Sequence, residues 1–375
     1  MKRRILRFLP VVVLLFPVAS HLVSRHRSGA PTEVESGTVV AASRAESREA
    51  RQFRARITKA RRLLEQHPES SSTSVTLAVE DERDSKIHLL NLPKENFLER
   101  DAEVELATTL GEPVRLKIVR PNYVNTAVEV TSADGRELTP LVVEYPIERN
   151  GRVEETAYYT SVHPAVQSDA LSADGRAYIR NMLDAAAARL ASHGKKISPE
   201  IVNIAERLCV VEHADHKRFK TEDRAALFNE ISTLYAVNAD DTYRYSVSTA
   251  GAGGMVQMIP PTYHAMRERY PEVKLRPDFV EGMRDHSNAL QVMLLYMQDT
   301  WRDLAREEEI KAALDSKLAT QAELLAAGYN SNPLKLGRYL ERGGSNWRTL
   351  IPQETQMYLR IYAAVDELVP SHARP

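Results

Sequence analysis

The chain has 375 residues, 43% hydrophobic and 27% charged, the composition of a globular protein long enough for more than one domain. Its 50 Lys and Arg nearly balance 51 Asp and Glu, so there is neither the basic excess that grips nucleic acid nor an acidic tail. The single cysteine, Cys209, excludes an intrachain disulfide, and within ERLCVVE it reads as a small buried hydrophobe.

At the N-terminus, MKRRILRFLPVVVLLFPVASHLVSRHR places Lys2, Arg3, Arg4 and Arg7 ahead of an apolar run from Phe8 to Ala19. That run is short for a membrane span of about 20 residues. Its layout is that of an export signal or, extended to Val23, of an inner-membrane anchor, and residues 1–24 are read as one or the other. Residues 25–74 read as a polar linker that contains a basic helix at 47–66 and breaks at PESSSTS.

From 75 to 165 the pattern has period two. Val104 and Leu106, then Val114, Leu116 and Ile118, then Val128 and Val130 alternate with polar residues, as half-buried strands do. Asp134-Gly135 and Asn150-Gly151 supply hairpin turns between such runs. A small antiparallel β domain without a catalytic constellation is expected here.

Beyond Pro164 the chain reads as helical through a second domain, residues 170–370, so the fold class is α+β. An Ala-rich helix ends at Gly194, and SPEIVNIAERLCVVEH starts with Ser198 as cap and Pro199 in the first turn. Further helices are expected at 222–236, 261–270, 286–305, 307–327 and 352–368. Asp285 or Ser287 in GMRDHSN reads as a helix cap.

Two stretches of this region carry chemistry. On the helix from Pro199, Ile201, Ile204, Ala205 and Leu208 form one apolar stripe, and Glu212 projects onto its centre, whereas Glu206 falls on the far side. Partial desolvation raises the pKa of such a carboxyl and keeps it protonated near neutrality, as a general acid requires. The alternative is a Glu at a helix end, paired with a neighbouring Lys or Arg. The second stretch, STAGAGGMVQMIPPTY, has glycines at 251, 253 and 254 opening an apolar run with one amide, Gln257, inside it. Glycines there suit close approach to the backbone, and a buried amide needs a hydrogen-bond partner.

Read in order, Glu212, SVSTAGAGGMVQMIPPTY, AAGYNSNP and ETQMYL resemble the motif series of the soluble lytic transglycosylases, lysozyme-like enzymes that cleave bacterial peptidoglycan. That series is a Glu ending a helix, then S-x-x-G-A-x-G-L-M-Q-x-M-P, A-Y-N-A-G-P-G and E-T-x-x-Y. The resemblance covers about 198–368, and its strength lies in four blocks in order rather than in any one of them. It implies a lysozyme-like helical domain with Glu212 as the single catalytic acid. Ser248 and Gln257 would contact substrate, Gly251 and Gly254 would let backbone and sugar approach, and Tyr329, Asn330, Glu354 and Tyr358 would line the cleft. Peptidoglycan glycan strands are the implied partner, the bacterial envelope the implied location, and no metal or cofactor is implied. Glu212 would protonate the bond between N-acetylmuramic acid and N-acetylglucosamine and then, as carboxylate, accept the proton of the muramic 6-hydroxyl to close a 1,6-anhydro ring.

The chain departs from that pattern in several places. His213 stands where the family has Ser, Ile259 where it has Met, and Ser331-Asn332-Pro333-Leu334 where it has A-G-P-G. The segment from Glu212 to Ser248 is much longer than the family's loop, and is expected to add a helix and a strand-like edge over the cleft. It holds a rival acid, Glu230, in a solvated helical pattern. Tyr243, Tyr245, Tyr263, Trp301 and Trp347 are candidates for stacking on sugars, with one or two expected in the cleft. A goose-type hydrolytic lysozyme, a non-catalytic peptidoglycan binder and an envelope scaffold are the other readings.

Overall fold

The computed structural model describes residues 46–67, 71–149, 151–369 and 374, all within one compact unit. The signal or anchor expected over 1–24 lies outside the described residues. Among these residues no helix is long and apolar enough to cross a membrane.

The described chain opens with α1 (Arg48–Gln66), capped by Ser47, whose hydroxyl accepts from the Ala50 N–H at 3.1 Å. The sheet follows: β1 (Ser74–Asp81), β2 (Lys86–Pro93), the single turn α2 (Lys94–Phe97), β3 (Glu103–Ala107), β4 (Pro113–Arg120), β5 (Ala127–Ser132), β6 (Glu137–Arg149) and β7 (Arg152–Tyr159). Every pairing is antiparallel, in the order β2-β1-β6-β5-β4-β3, with β7 also on β6. The 13-residue β6 is shared: Leu138 faces Val130 of β5, Val143 faces Leu77 of β1, and Tyr145 faces Ala157 of β7. Sharing one long strand among three neighbours curls the sheet. Both expected hairpins form, with Gly135 at φ 84° between β5 and β6, and Gly151 at φ 73° where Arg149 pairs Arg152.

The alternation expected in β4 is present: Val114, Leu116 and Ile118 are buried between exposed Arg115 and Lys117. β1 differs because both its faces are covered. Val75, Leu77 and Val79 join the core inside the curl with Phe97 and Tyr145, while Ala78 meets Ala50, Phe53 and Leu64 of α1 on the other side. The basic helix expected within the linker thus lays an apolar stripe against the sheet.

The helical region comprises α3 (Asp169–Ser192), α4 (Pro199–Val211), α5 (His216–Thr221), α6 (Arg224–Asn238), α7 (Pro260–Arg269), α8 (Phe279–Arg284), α9 (His286–Leu304), α10 (Glu308–Asp315), α11 (Gln321–Asn330), α12 (Leu336–Gly343) and α13 (Gln353–Leu368). The architecture is α+β, a curled antiparallel sheet followed by helices. The continuous helix expected at 307–327 is broken. Lys317 turns left-handed at φ 58°, and Thr320 with Glu323 starts α11 through a reciprocal capping box.

The long segment after Glu212 also differs from expectation. No strand forms at 242–246, and α6 is not a cover over the cleft. Its residues 227–237 are apolar or small except for half-buried Asn229 and Glu230, so they bury nearly all round. Leu227, Phe228, Ile231 and Tyr235 enter the helical core, Leu234 the core inside the sheet, and Ala236 and Val237 the layer beneath α1. The inserted helix therefore joins all three apolar clusters.

Candidate active site around Glu212

The stripe on α4 is buried as its spacing predicts, with Ile201, Ala205 and Leu208 wholly enclosed. Glu212 stands one residue past the helix, still in αR geometry (φ −59°, ψ −20°), and its N–H bonds Leu208 O at 3.0 Å. The helix thus delivers the carboxyl to the inner end of its apolar face. Glu212 keeps partial contact with solvent as a residue, but its carboxyl is walled by protein, and that local environment governs its ionisation. Burial pushes its pKa from 4.5 to about 8. The Tyr358 hydroxyl, donating to Oε1 at 2.5 Å, pulls in the opposite direction, and the Glu354 charge adds to the rise. No salt bridge to Glu212 forms among the described residues, so the carboxyl is mostly protonated at pH 7.

α13 supplies buried Tyr358 and, one turn earlier, exposed Glu354. α11 ends in Tyr329 and Asn330. The Tyr329 hydroxyl donates to Val256 O at 2.7 Å, and burial first and the Glu212 charge second push its phenol well above the ordinary value. Asn330 Oδ1 accepts from Thr355 Oγ1 at 2.8 Å, tying α11 to α13. Glu212, Tyr329, Glu354 and Tyr358, widely separated in sequence, are thus brought within electrostatic reach of one another.

The glycine loop is an internally bonded unit. Gly254 N donates to Ser246 O (3.1 Å), Gly253 N to Met258 O (3.1 Å) and Ser248 N to Ala252 O (2.8 Å). Ser248 Oγ accepts from Ala252 N at 3.0 Å. Gln257, at φ 45°, donates through Nε2 to Gly254 O (2.8 Å) and Ser246 Oγ (3.1 Å), so its amide hydrogens are spent within the loop. The loop is fixed to the acid's surroundings from two sides, because Met255 O bonds His213 Nε2 at 3.0 Å and Val256 O bonds Tyr329. Ser248 and Gly251 lie at its more exposed end.

The two glycines with assigned roles are unlike. A Cβ at Gly254, where φ is 67°, would lie 2.3 Å from Met283 O, so this glycine answers a close approach of the loop to α8. A Cβ at Gly251 (φ 75°) would meet nothing within 4 Å. Gly254→Ala is expected to cost about 3 kcal/mol, from the clash with Met283 O added to backbone strain, and Gly251→Ala about 1 kcal/mol, from backbone strain alone. Urea unfolding of the two variants beside the wild type checks the difference, and equal losses would contradict it.

Several features had no sequence signal. His213 is stacked face to face on Tyr243, ring centroids 3.3 Å apart, and burial pushes its pKa down to about 3. It is therefore a neutral imidazole whose Nε2–H anchors the glycine loop. Tyr245 donates to Glu155 Oε1 of β7 at 3.1 Å, linking the sheet to the same loop. Tyr263 and Trp347 are fully buried and unavailable for stacking on a ligand. Contrary to the solvated setting expected for it, Glu230 is half-buried in ion pairs at 2.9 Å with both Arg120 and Arg218. Two guanidiniums occupy the rival acid, whereas Glu212 has none among the described residues.

Comparison with family models, with curated proteins and with solved structures finds no match. The chemistry of the site accordingly rests on its own residues. They offer one protonated carboxyl, a phenol that stabilises its conjugate base, and a loop with half-buried Gly251 and Gln257.

Proposed function

We propose that the chain is a peptidoglycan lytic transglycosylase of the bacterial envelope, with a lysozyme-like helical domain and Glu212 as its acid and then its base. The observation that carries this reading is the buried Glu212 carboxyl, raised to about 8, without a cationic partner among the described residues and held by Tyr358. A protonated carboxyl delivers its proton to the glycosidic oxygen as the C–O bond breaks, while the muramic N-acetyl oxygen supports the anomeric carbon. The resulting carboxylate accepts the hydrogen bond of Tyr358 and is basic enough to take the proton of the 6-hydroxyl, whose oxygen closes the anhydro ring. Glu212 ends reprotonated, and no water is consumed.

The motif resemblance over 198–368 supports the same substrate, with Gln257, Ser248, Tyr329, Asn330, Glu354 and the loop around Gly251 and Gly254 as its contacts. Hydrolysis is the second reading. Glycosidases that hydrolyse ordinarily use two carboxyls, and Glu354 is a carboxylate whose charge reaches Glu212. Digestion of purified sacculi by the chain lacking residues 1–24, followed by mass spectrometry, separates the outcomes. Anhydro-muropeptides are the expected products. Products heavier by one water would make the protein a hydrolase, and binding without release would make it a wall-binding or scaffold protein.

A further inference from the structure

The carboxylate of Glu155 on β7 joins the sheet to two segments that enclose the glycine loop. Glu155 stands two residues before Ala157, on the face of β7 turned to the core inside the curl. The register of the strand pair shifts just beside it, where Ile147 pairs Glu155 but Glu148 pairs Val153, a bulge of the kind that re-aims a side chain. Both carboxylate oxygens are taken. Oε1 accepts from the Tyr245 hydroxyl at 3.1 Å and lies 3.6 Å from Arg244 Nη2, and Oε2 pairs with Arg284 Nη1 at 3.1 Å. The Arg284 guanidinium also lies over the Tyr245 ring, 5.5 Å from its centroid. All four side chains are half-buried, where such contacts are screened less than on open surface.

Tyr245 and Arg284 are each next in the chain to a residue that meets Gly254. Ser246 accepts from Gly254 N through its carbonyl (3.1 Å) and from Gln257 Nε2 through its hydroxyl (3.1 Å). Met283 presents the carbonyl oxygen that a Cβ at Gly254 would meet at 2.3 Å. Gly254 therefore sits between segments 244–246 and 283–284, which come from different parts of the chain and share one anchor on the sheet. Arg244 and Arg284 also meet Asp241 at 4.0 Å and Glu281 at 3.3 Å, but each of those carboxylates lies three residues away in the arginine's own segment.

We propose that Glu155 is a positioning residue for the Glu212 site: it sets the spacing of residues 244–246 from α8, and through them the placing of Gly254 and Gln257 against a bound glycan. The inference rests on the glycan reading of that site and gives the sheet a part in it. Glu155 acts on binding rather than on proton transfer, because Glu212 is delivered by α4 and held by Tyr358 of α13, and the partners of Glu155 lie on neither helix. Without its carboxylate, two guanidiniums are left to repel each other across the loop's entrance.

The test uses the chain lacking residues 1–24 in two measurements. Hydrogen exchange of the Gly254 N–H, bonded to Ser246 O, is expected to quicken about tenfold in Glu155→Ala, while that of the Glu212 N–H, bonded to Leu208 O, stays as in wild type. In muropeptide release from solubilised glycan strands, Glu155→Ala is expected to raise KM about tenfold with kcat within about twofold, and Glu155→Gln, which can still accept from Tyr245, to raise KM only about threefold. A variant that had merely lost folded protein would lower kcat at unchanged KM. Unchanged exchange at Gly254, or a fall in kcat at constant KM, would overturn the proposal. A wild type that neither releases nor binds glycan would overturn the reading of the site instead, and the exchange rates would still decide whether Glu155 holds the loop.

Discussion

Replacing Glu212 by Gln is expected to slow release of glycan fragments from sacculi about a thousandfold while leaving the chain folded. Gln keeps the shape and can still accept from Tyr358, but it has no proton to give to a leaving oxygen. The same substitution has a stability signature of definite sign. The folded pKa of Glu212, about 8, lies above its unfolded value of 4.5. Between those values the unfolded chain loses the proton that the folded chain retains, so wild-type stability falls as pH rises through that window and levels off above it. The Gln variant lacks this dependence. Its advantage over wild type is expected to open from near zero at pH 4.5 to about 3 kcal/mol at pH 8, less than the full ~5 kcal/mol because Glu212 keeps some solvent contact. Urea unfolding of both proteins at pH 5 and pH 8 checks it, and a pH-independent gap would contradict the burial.

The largest structural effect is expected at Gly175→Ala. In α3 this residue meets α6 so closely that a Cβ would lie 1.7 Å from Ser232 O and 2.5 Å from its carbonyl carbon. Both obstacles are backbone, so no rotamer relieves them. Helix propensity alone favours Ala over Gly by about 1 kcal/mol. Separating α3 from α6 would open the junction of the three apolar clusters, and a net loss of at least about 4 kcal/mol is expected. Circular dichroism during urea unfolding measures it. A variant as stable as wild type, or more so, would contradict the close approach of α3 to α6 at Gly175.

Gly175 also marks how far the sequence could be read. The pentapeptide SADGR occurs twice, at 132–136 and 172–176. In the first it turns a hairpin, with Gly135 at φ 84°. In the second it lies inside α3, where Asp174 accepts from Ser47 N at 3.1 Å and Gly175 packs on α6. Flanking periodicity told turn from helix, but nothing local announced the close contact. Glu212 was legible because one amphipathic helix determines both its neighbours and its direction. Its partner Tyr358 lies 146 positions away in sequence, and its direct bond to the acid is a product of tertiary packing. The burial of α6 was legible in principle from its continuous apolar content, and the break before α11 from the Thr320–Glu323 capping signature within an apparently continuous helix. The stacking of His213 on Tyr243 had no local pattern to reveal it.

The decisive measurement is the pH dependence of muropeptide release between pH 5 and pH 9, for the wild-type chain lacking residues 1–24 and for its Glu212→Gln variant. An acid that must be protonated gives a wild-type rate that holds to neutrality and then falls about tenfold per pH unit above an apparent pKa near 8, with the variant flat at background. A wild-type rate that already falls about tenfold per pH unit from pH 5 upward, or a variant that releases the same products at a comparable rate, would contradict Glu212 as the buried acid of this site.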